Sequence, residues 1–128
     1  MKQPVSRPLS PHLQIYRLPL TALLSITHRL TGVVISLGMI YLVVWLMGIA
    51  EGASAFQNTQ AFLDSGFGRL LLFFWTFALF FHFVHGIRHL IWDTGLTFKR
   101  AEMDRTAWIE IGAAGGLTLF VWFVRLFV

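Results

Sequence analysis

Four ionisable residues stand close together in an otherwise apolar stretch: His82, His85, Arg88 and His89. Ionisable side chains at membrane depth are expensive and by default mark function. At 100° per helical residue, His82 and His89 fall within about 20° of each other, and His85 lies about 60° away on the same broad face. Gly86 follows His82 by one turn and removes side-chain bulk beside it. A flat macrocycle against a helix needs such a gap, and neutral imidazole is a common axial ligand for haem iron. His82 precedes Trp92 by ten residues, which puts it about 15 Å from that end of the helix, with His89 about two turns nearer the end. A ring ligated at His82 would carry its propionates toward His28, Arg29, Arg88 and His89, cations that offset two carboxylates. The blander reading of any one histidine is a hydrogen bond to a neighbouring helix. His85 itself reads as a packing or supporting residue rather than a ligand. His82 and His85 share a face and cannot sandwich one ring, span three has no histidine, and His28 lies roughly one turn nearer the surface than His82, so the simplest source of a second imidazole is another polypeptide.

A second constellation precedes the first long apolar run. Ser25 and Arg29 are spaced i, i+4 and share a helix face. A hydroxyl donor beside a cation at the edge of the hydrocarbon suits a quinone carbonyl, with Arg29 polarising the oxygen and Ser25 bonding to it. The same two residues equally suit a snorkelling arginine and a serine bonded to its own helix backbone.

These groups must be carried by helices that cross a bilayer. Of 128 residues, 56% are hydrophobic and 12% charged, with a mean hydropathy of +0.70, too little charge to cover a soluble domain. No charged residue falls between Arg29 and Glu51, or between Arg69 and Arg88, and from Thr106 onward only Glu110 and Arg125 are charged. A bilayer core of about 30 Å takes roughly 20 helical residues. The predicted architecture is therefore all-α and integral to the membrane. Its spans run over about 21–49, 67–92 and 106–127, after an N-terminal segment, 1–20, whose prolines at 4, 8, 11 and 19 oppose a continuous helix. The polar loop 51–66 has room for a short surface helix over Ala55–Leu63. Span three, with Gly112, Ala113, Ala114, Gly115 and Gly116, reads as a packing helix with nothing near its centre that titrates or ligates.

Eight of the ten basic residues lie before or at the start of span one or around the loop after span two. The positive-inside rule then predicts a cytoplasmic N-terminus and an external C-terminus. The chain has no cysteine, which excludes disulfides and thiolate metal sites. Its start fits neither a secretory signal nor a mitochondrial import sequence, and it reads as a complete bacterial inner-membrane protein. The net charge of +4 follows the loop asymmetry and is no nucleic-acid signature.

Three stretches carry a resemblance: Arg7-Pro-Leu-Ser-Pro-His-Leu-Gln-Ile-Tyr16, Ser25-Ile-Thr-His-Arg-Leu-Thr-Gly32 and His82-Phe-Val-His-Gly-Ile-Arg-His-Leu-Ile-Trp-Asp93. Together with three spans at this length, the chain resembles the cytochrome b556 membrane anchors of succinate dehydrogenase, the larger hydrophobic subunits of succinate:quinone oxidoreductase (complex II). The third stretch, H-x-x-x-G-x-R-H-L-x-x-D, is the most specific. The resemblance implies that His82 ligates haem b and that a smaller hydrophobic subunit supplies the second ligand. It implies that Ser25 and Arg29 bind quinone with Asp93 near the pocket, and that His28 and His89 meet the haem propionates. The implied complex adds an iron–sulfur subunit and a flavoprotein that oxidises succinate. This chain has neither the cysteines nor the dinucleotide fingerprint to carry those cofactors itself. Fumarate reductase anchors are a variant running in the opposite direction. A haem-free structural anchor and a small proton-coupled transporter component are the other function classes that intramembrane histidines allow.

Overall fold

The computed structural model describes residues 15–127, so the N-terminal motif at Arg7–Gln14 and most of the segment 1–20 lie outside the described residues. Four helices follow in order, α1 (Leu20–Glu51), α2 (Ala53–Asp64), α3 (Gly66–Asp93) and α4 (Arg100–Val124), with no strand among the described residues. α1, α3 and α4 are long and apolar enough to cross a membrane.

Local chemistry sets the boundaries. Pro19 precedes α1, where its missing N–H costs nothing, and 32 residues give a rod of about 48 Å. Gly52 ends it with φ 110°, a conformation open to glycine, and its N–H bonds to Ile49 O at 3.3 Å. α2 starts at once and folds back along α1. Tyr41 Oη donates to Thr59 O at 2.7 Å, and Trp45 Nε1 donates to Gln60 Oε1 at 2.9 Å. Ser65 then caps α3, its Oγ accepting from Gly68 N at 3.0 Å.

The third long helix begins at Arg100, six residues before the apolar run does. Hydropathy marks where the bilayer starts. A helix can begin outside it in charged residues, as this one does, with Glu102 in its first turn. It ends at Val124, and residues 125–127 form a turn.

α3 packs against both α1 and α4. Leu24, Phe81, Ala107 and Ala114 form a small core, flanked by Leu20, Phe77, Phe80 and Ile111. Large apolar side chains such as Leu30, Leu37, Ile40, Phe83 and Leu119 point outward, as lipid-facing helices require. α4 meets α3 through Ala107, Glu110, Ala114 and Thr118, all buried. Space is open around Gly112, Gly115 and Gly116, so of this small-residue stripe Ala114, and not the glycines, is packed inside the protein.

Candidate functional site: a histidine cluster beside an open groove

α1 and α3 cross with His28 facing three histidines of α3. Its ring stacks on His82 with centroids 3.9 Å apart and on His85 at 4.4 Å, and it lies tilted 5.9 Å from His89. One ring nitrogen from each of His28, His85 and His89 falls within 4.8 Å of the others. The sequence reading places His28 near the level of His89, and these two rings lie 5.9 Å apart.

His82 is held by α1. Its Nδ1 lies 3.1 Å from His28 O and 3.3 Å from Thr31 Oγ1. A carbonyl only accepts, so Nδ1 carries the proton. Thr31 Oγ1 gives its own proton to the same carbonyl at 2.8 Å and is left to accept from His82. The Nε2 lone pair is therefore free for a metal, in the arrangement by which an outer carbonyl orients a ligating imidazole. Gly32 makes the approach possible: a β-carbon there would lie 3.2 Å from His82 Cε1. His82 lines an open groove of about 690 Å³ together with Arg29, Gly32, Ser36, Leu37 and Ile40.

Arg29, on the groove wall, is exposed. Ser25 is half-buried one turn earlier and forms no side-chain hydrogen bond among the described residues. Asp93 is the exposed last residue of α3. The groove thus brings Arg29 and His82 together, and neither Ser25 nor Asp93 lines it. Gly86 faces open space, with no atom near a β-carbon placed on it. His89 is exposed, edge-on to His85 at 4.8 Å and to Trp92 at 5.0 Å.

Arg88 turns elsewhere. Six positions after His82 it points about 120° away, toward α4, and is buried at 4% exposure. Its Nη1 donates to Glu110 Oε2 at 2.9 Å and its Nη2 to Met103 O at 2.7 Å, while its guanidinium carbon sits 4.6 Å from the Trp92 ring centre. His85 Nδ1 donates to the other oxygen, Glu110 Oε1, at 2.6 Å. The expectation that α4 holds nothing titratable near its centre is corrected here: Glu110 is the eleventh residue of α4, 1% exposed and bound to two groups of α3. The signal was a lone carboxylate in an apolar run. Thr31 and Gly32 were also missed as site residues, because their role depends on a ring from another helix.

The whole chain can be compared with known proteins. The family model described as succinate dehydrogenase/fumarate reductase transmembrane subunit matches residues 3–123. The succinate dehydrogenase cytochrome b560 subunit of Reclinomonas americana is 34% identical over 125 residues, 94% of this chain and 87% of the relative. The cytochrome b556 subunit of Paracoccus denitrificans is 35% identical over 122 residues, 93% and 94% of the two chains, and that of Rickettsia felis is 35% identical over 117 residues, 91% and 90%. With three apolar helices and a match over nearly its full length, the chain belongs to the succinate dehydrogenase/fumarate reductase transmembrane subunit family.

Proposed function

We propose that this chain is the membrane-anchor cytochrome b subunit of a succinate:quinone oxidoreductase, holding haem b and contributing to the site where electrons from succinate reduce quinone. The observation that carries the reading is the state of His82. Its Nδ1 proton is committed to a main-chain carbonyl of α1, which leaves a lone pair on Nε2, and the residue lines an open groove of about 690 Å³. In that reading His82 would ligate the iron, Gly86 would leave room along α3, and His28 and His89 would interact with the haem carboxylates. Arg88 serves from the α4 side as a neutralised cation. Bound there, the haem supplies a one-electron carrier. A smaller hydrophobic subunit supplies the second imidazole.

Quinone takes two electrons and two protons to become quinol. Arg29 would stabilise the negative charge that develops on the quinone oxygen and Ser25 would donate to it, with Asp93 assigned near the pocket by the family resemblance alone. Electrons arrive from a flavoprotein that oxidises succinate, through an iron–sulfur subunit. The names of the relatives, succinate dehydrogenase cytochrome b subunits, support both the haem and these partners. The basic residues support a cytoplasmic N-terminus and a periplasmic C-terminus in a bacterial inner membrane.

The test is a reduced-minus-oxidised absorbance spectrum of the affinity-purified complex, with its subunits identified. A b-type signal together with a flavoprotein, an iron–sulfur protein and a second small membrane subunit is the expected result. A complex of these subunits without the b-type signal would leave only a structural anchor.

A further inference from the structure

Glu110 has no part in the function proposed above, yet it is the costliest residue in the membrane part of the chain. A carboxylate with 1% exposure is uncompensated unless charges or strong donors surround it. Two such groups do, both on α3. Arg88 Nη1 supplies the counter-charge at 2.9 Å and His85 Nδ1 the second hydrogen bond at 2.6 Å.

The consequences reach past the α3–α4 seam. The carboxylate only accepts, so it fixes the proton of His85 on Nδ1 and the ring in one orientation. That ring lies between Phe81, nearly parallel at 6.0 Å between centroids, and His28 at 4.4 Å. His28 in turn stacks on His82 at 3.9 Å with 17° between planes. Glu110, His85, His28 and His82 therefore form an unbroken series from α4, through α3 and α1, to the groove. Charge follows the same geometry. Arg88 and Glu110 cancel inside the protein, and without Glu110 an unpaired cation would stand in a low-dielectric region one to two helical turns along α3 from His82.

We propose that Glu110 is a positioning residue for the haem ligand: it fixes His85 as the backing for His28 and His82, and it cancels the charge of Arg88. It thereby sets both the orientation of the axial imidazole and the reduction potential of the haem. This inference rests on the haem reading of His82. A residue that merely locked α4 to α3 would affect assembly and leave the haem of the assembled complex unaltered.

The experiment uses the intact purified complex carrying Glu110→Gln. Its readouts are the haem-to-flavin ratio, the midpoint potential of the b haem and the largest g-value of its low-spin resonance. The expected result is haem retained, a midpoint displaced to more positive potential and a shifted g-value. A positive charge left unpaired disfavours the oxidised, more positive haem. In the double variant Arg88→Met/Glu110→Leu both charges are gone and the pair is replaced by apolar side chains, an exchange buried ion pairs commonly tolerate. Its midpoint should return toward the wild-type value while the g-value stays displaced. Wild-type potential and g-value in Glu110→Gln, or a double variant displaced as far as the single one, would overturn the proposal. If Glu110→Gln fails to assemble, His85→Leu decides: with the ion pair intact, the g-value should shift and the potential hold, and an unshifted g-value overturns the inference. A wild-type complex with no b-type haem would instead refute the reading of His82, so the two failures are told apart before any variant is compared.

Discussion

The imidazole of His28 lies flat against that of His82, 3.9 Å between ring centroids and 17° from parallel. The two rings come from different helices, 54 positions apart in the chain. The contact fixes the rotation of α1 about its axis relative to α3. With that rotation set, Arg29 reaches the wall of the groove that His82 lines, and the main-chain oxygen of residue 28 meets His82 Nδ1. One aromatic contact thus aligns the proposed cofactor ligand with one of the proposed quinone residues.

His82→Leu should abolish or strongly perturb the low-spin b-type spectrum of the complex, because it removes the only α3 imidazole that lines the groove. His85→Leu should leave bis-imidazole ligation in place. The subunit expressed alone should form no stable six-coordinate haem, since a second ligand has to come from its partner. Absorbance and electron paramagnetic resonance of each preparation check this, and a normal low-spin signal from His82→Leu would overturn the assignment.

Ser25→Ala and Arg29→Leu should lower quinone reduction by about 10- to 100-fold each, the range for losing a hydrogen bond or charge at a reacting oxygen. Haem content should be kept, and succinate oxidation with an artificial soluble acceptor should continue. Steady-state assays with both acceptors on one preparation separate the effects. Wild-type quinone reduction in both variants would place the pocket elsewhere.

Gly32→Val should displace His82. A β-carbon at this position already stands 3.2 Å from Cε1 of the ring, and the two γ-methyls of valine need more space. The expected phenotype is a complex that assembles with a reduced haem-to-flavin ratio. Gly86→Ala, where no protein atom lies near the added carbon, should lower the haem-to-flavin ratio by filling space proposed for the macrocycle. Equal haem content in wild type and Gly32→Val would show that the ring does not depend on that contact.

Reporter fusions after residue 58, in α2, and after residue 128 should both read as external, following eight of ten basic residues on the opposite side. A cytoplasmic reading at either point contradicts the orientation.

Much of this organisation was legible in the residues. The charge-free runs mark three crossings, and a short helix over Ala55–Leu63 appears as α2, Ala53–Asp64. The seven-residue spacing of His82 and His89 and the level of His28 foretold an imidazole cluster. The connections between helices were not legible. Whether Glu110 faces lipid or protein depends on the rotation of α4, which neither hydropathy nor its small-residue stripe determines. The glycines of that stripe face open space, while Ala114 is buried together with Ala107, Glu110 and Thr118. Arg88 was expected at the propionates on the ground of depth alone; its azimuth takes it to α4. Thr31 and Gly32 carry no signal of their own, since their importance comes from a ring 50 or more positions away.

The nearer partner of the His82 Nδ1 proton is a peptide oxygen, with the side chain of Thr31 as a longer second acceptor. No point substitution can delete that peptide oxygen while α1 stays helical. A substitution at position 28 keeps this oxygen in the main chain but removes the ring that sets α1 against α3. The site divides into an inherited part, written in the backbone, and an adjustable part, written in side chains. Changes to the surroundings of His82 would therefore have to keep a flat ring at position 28.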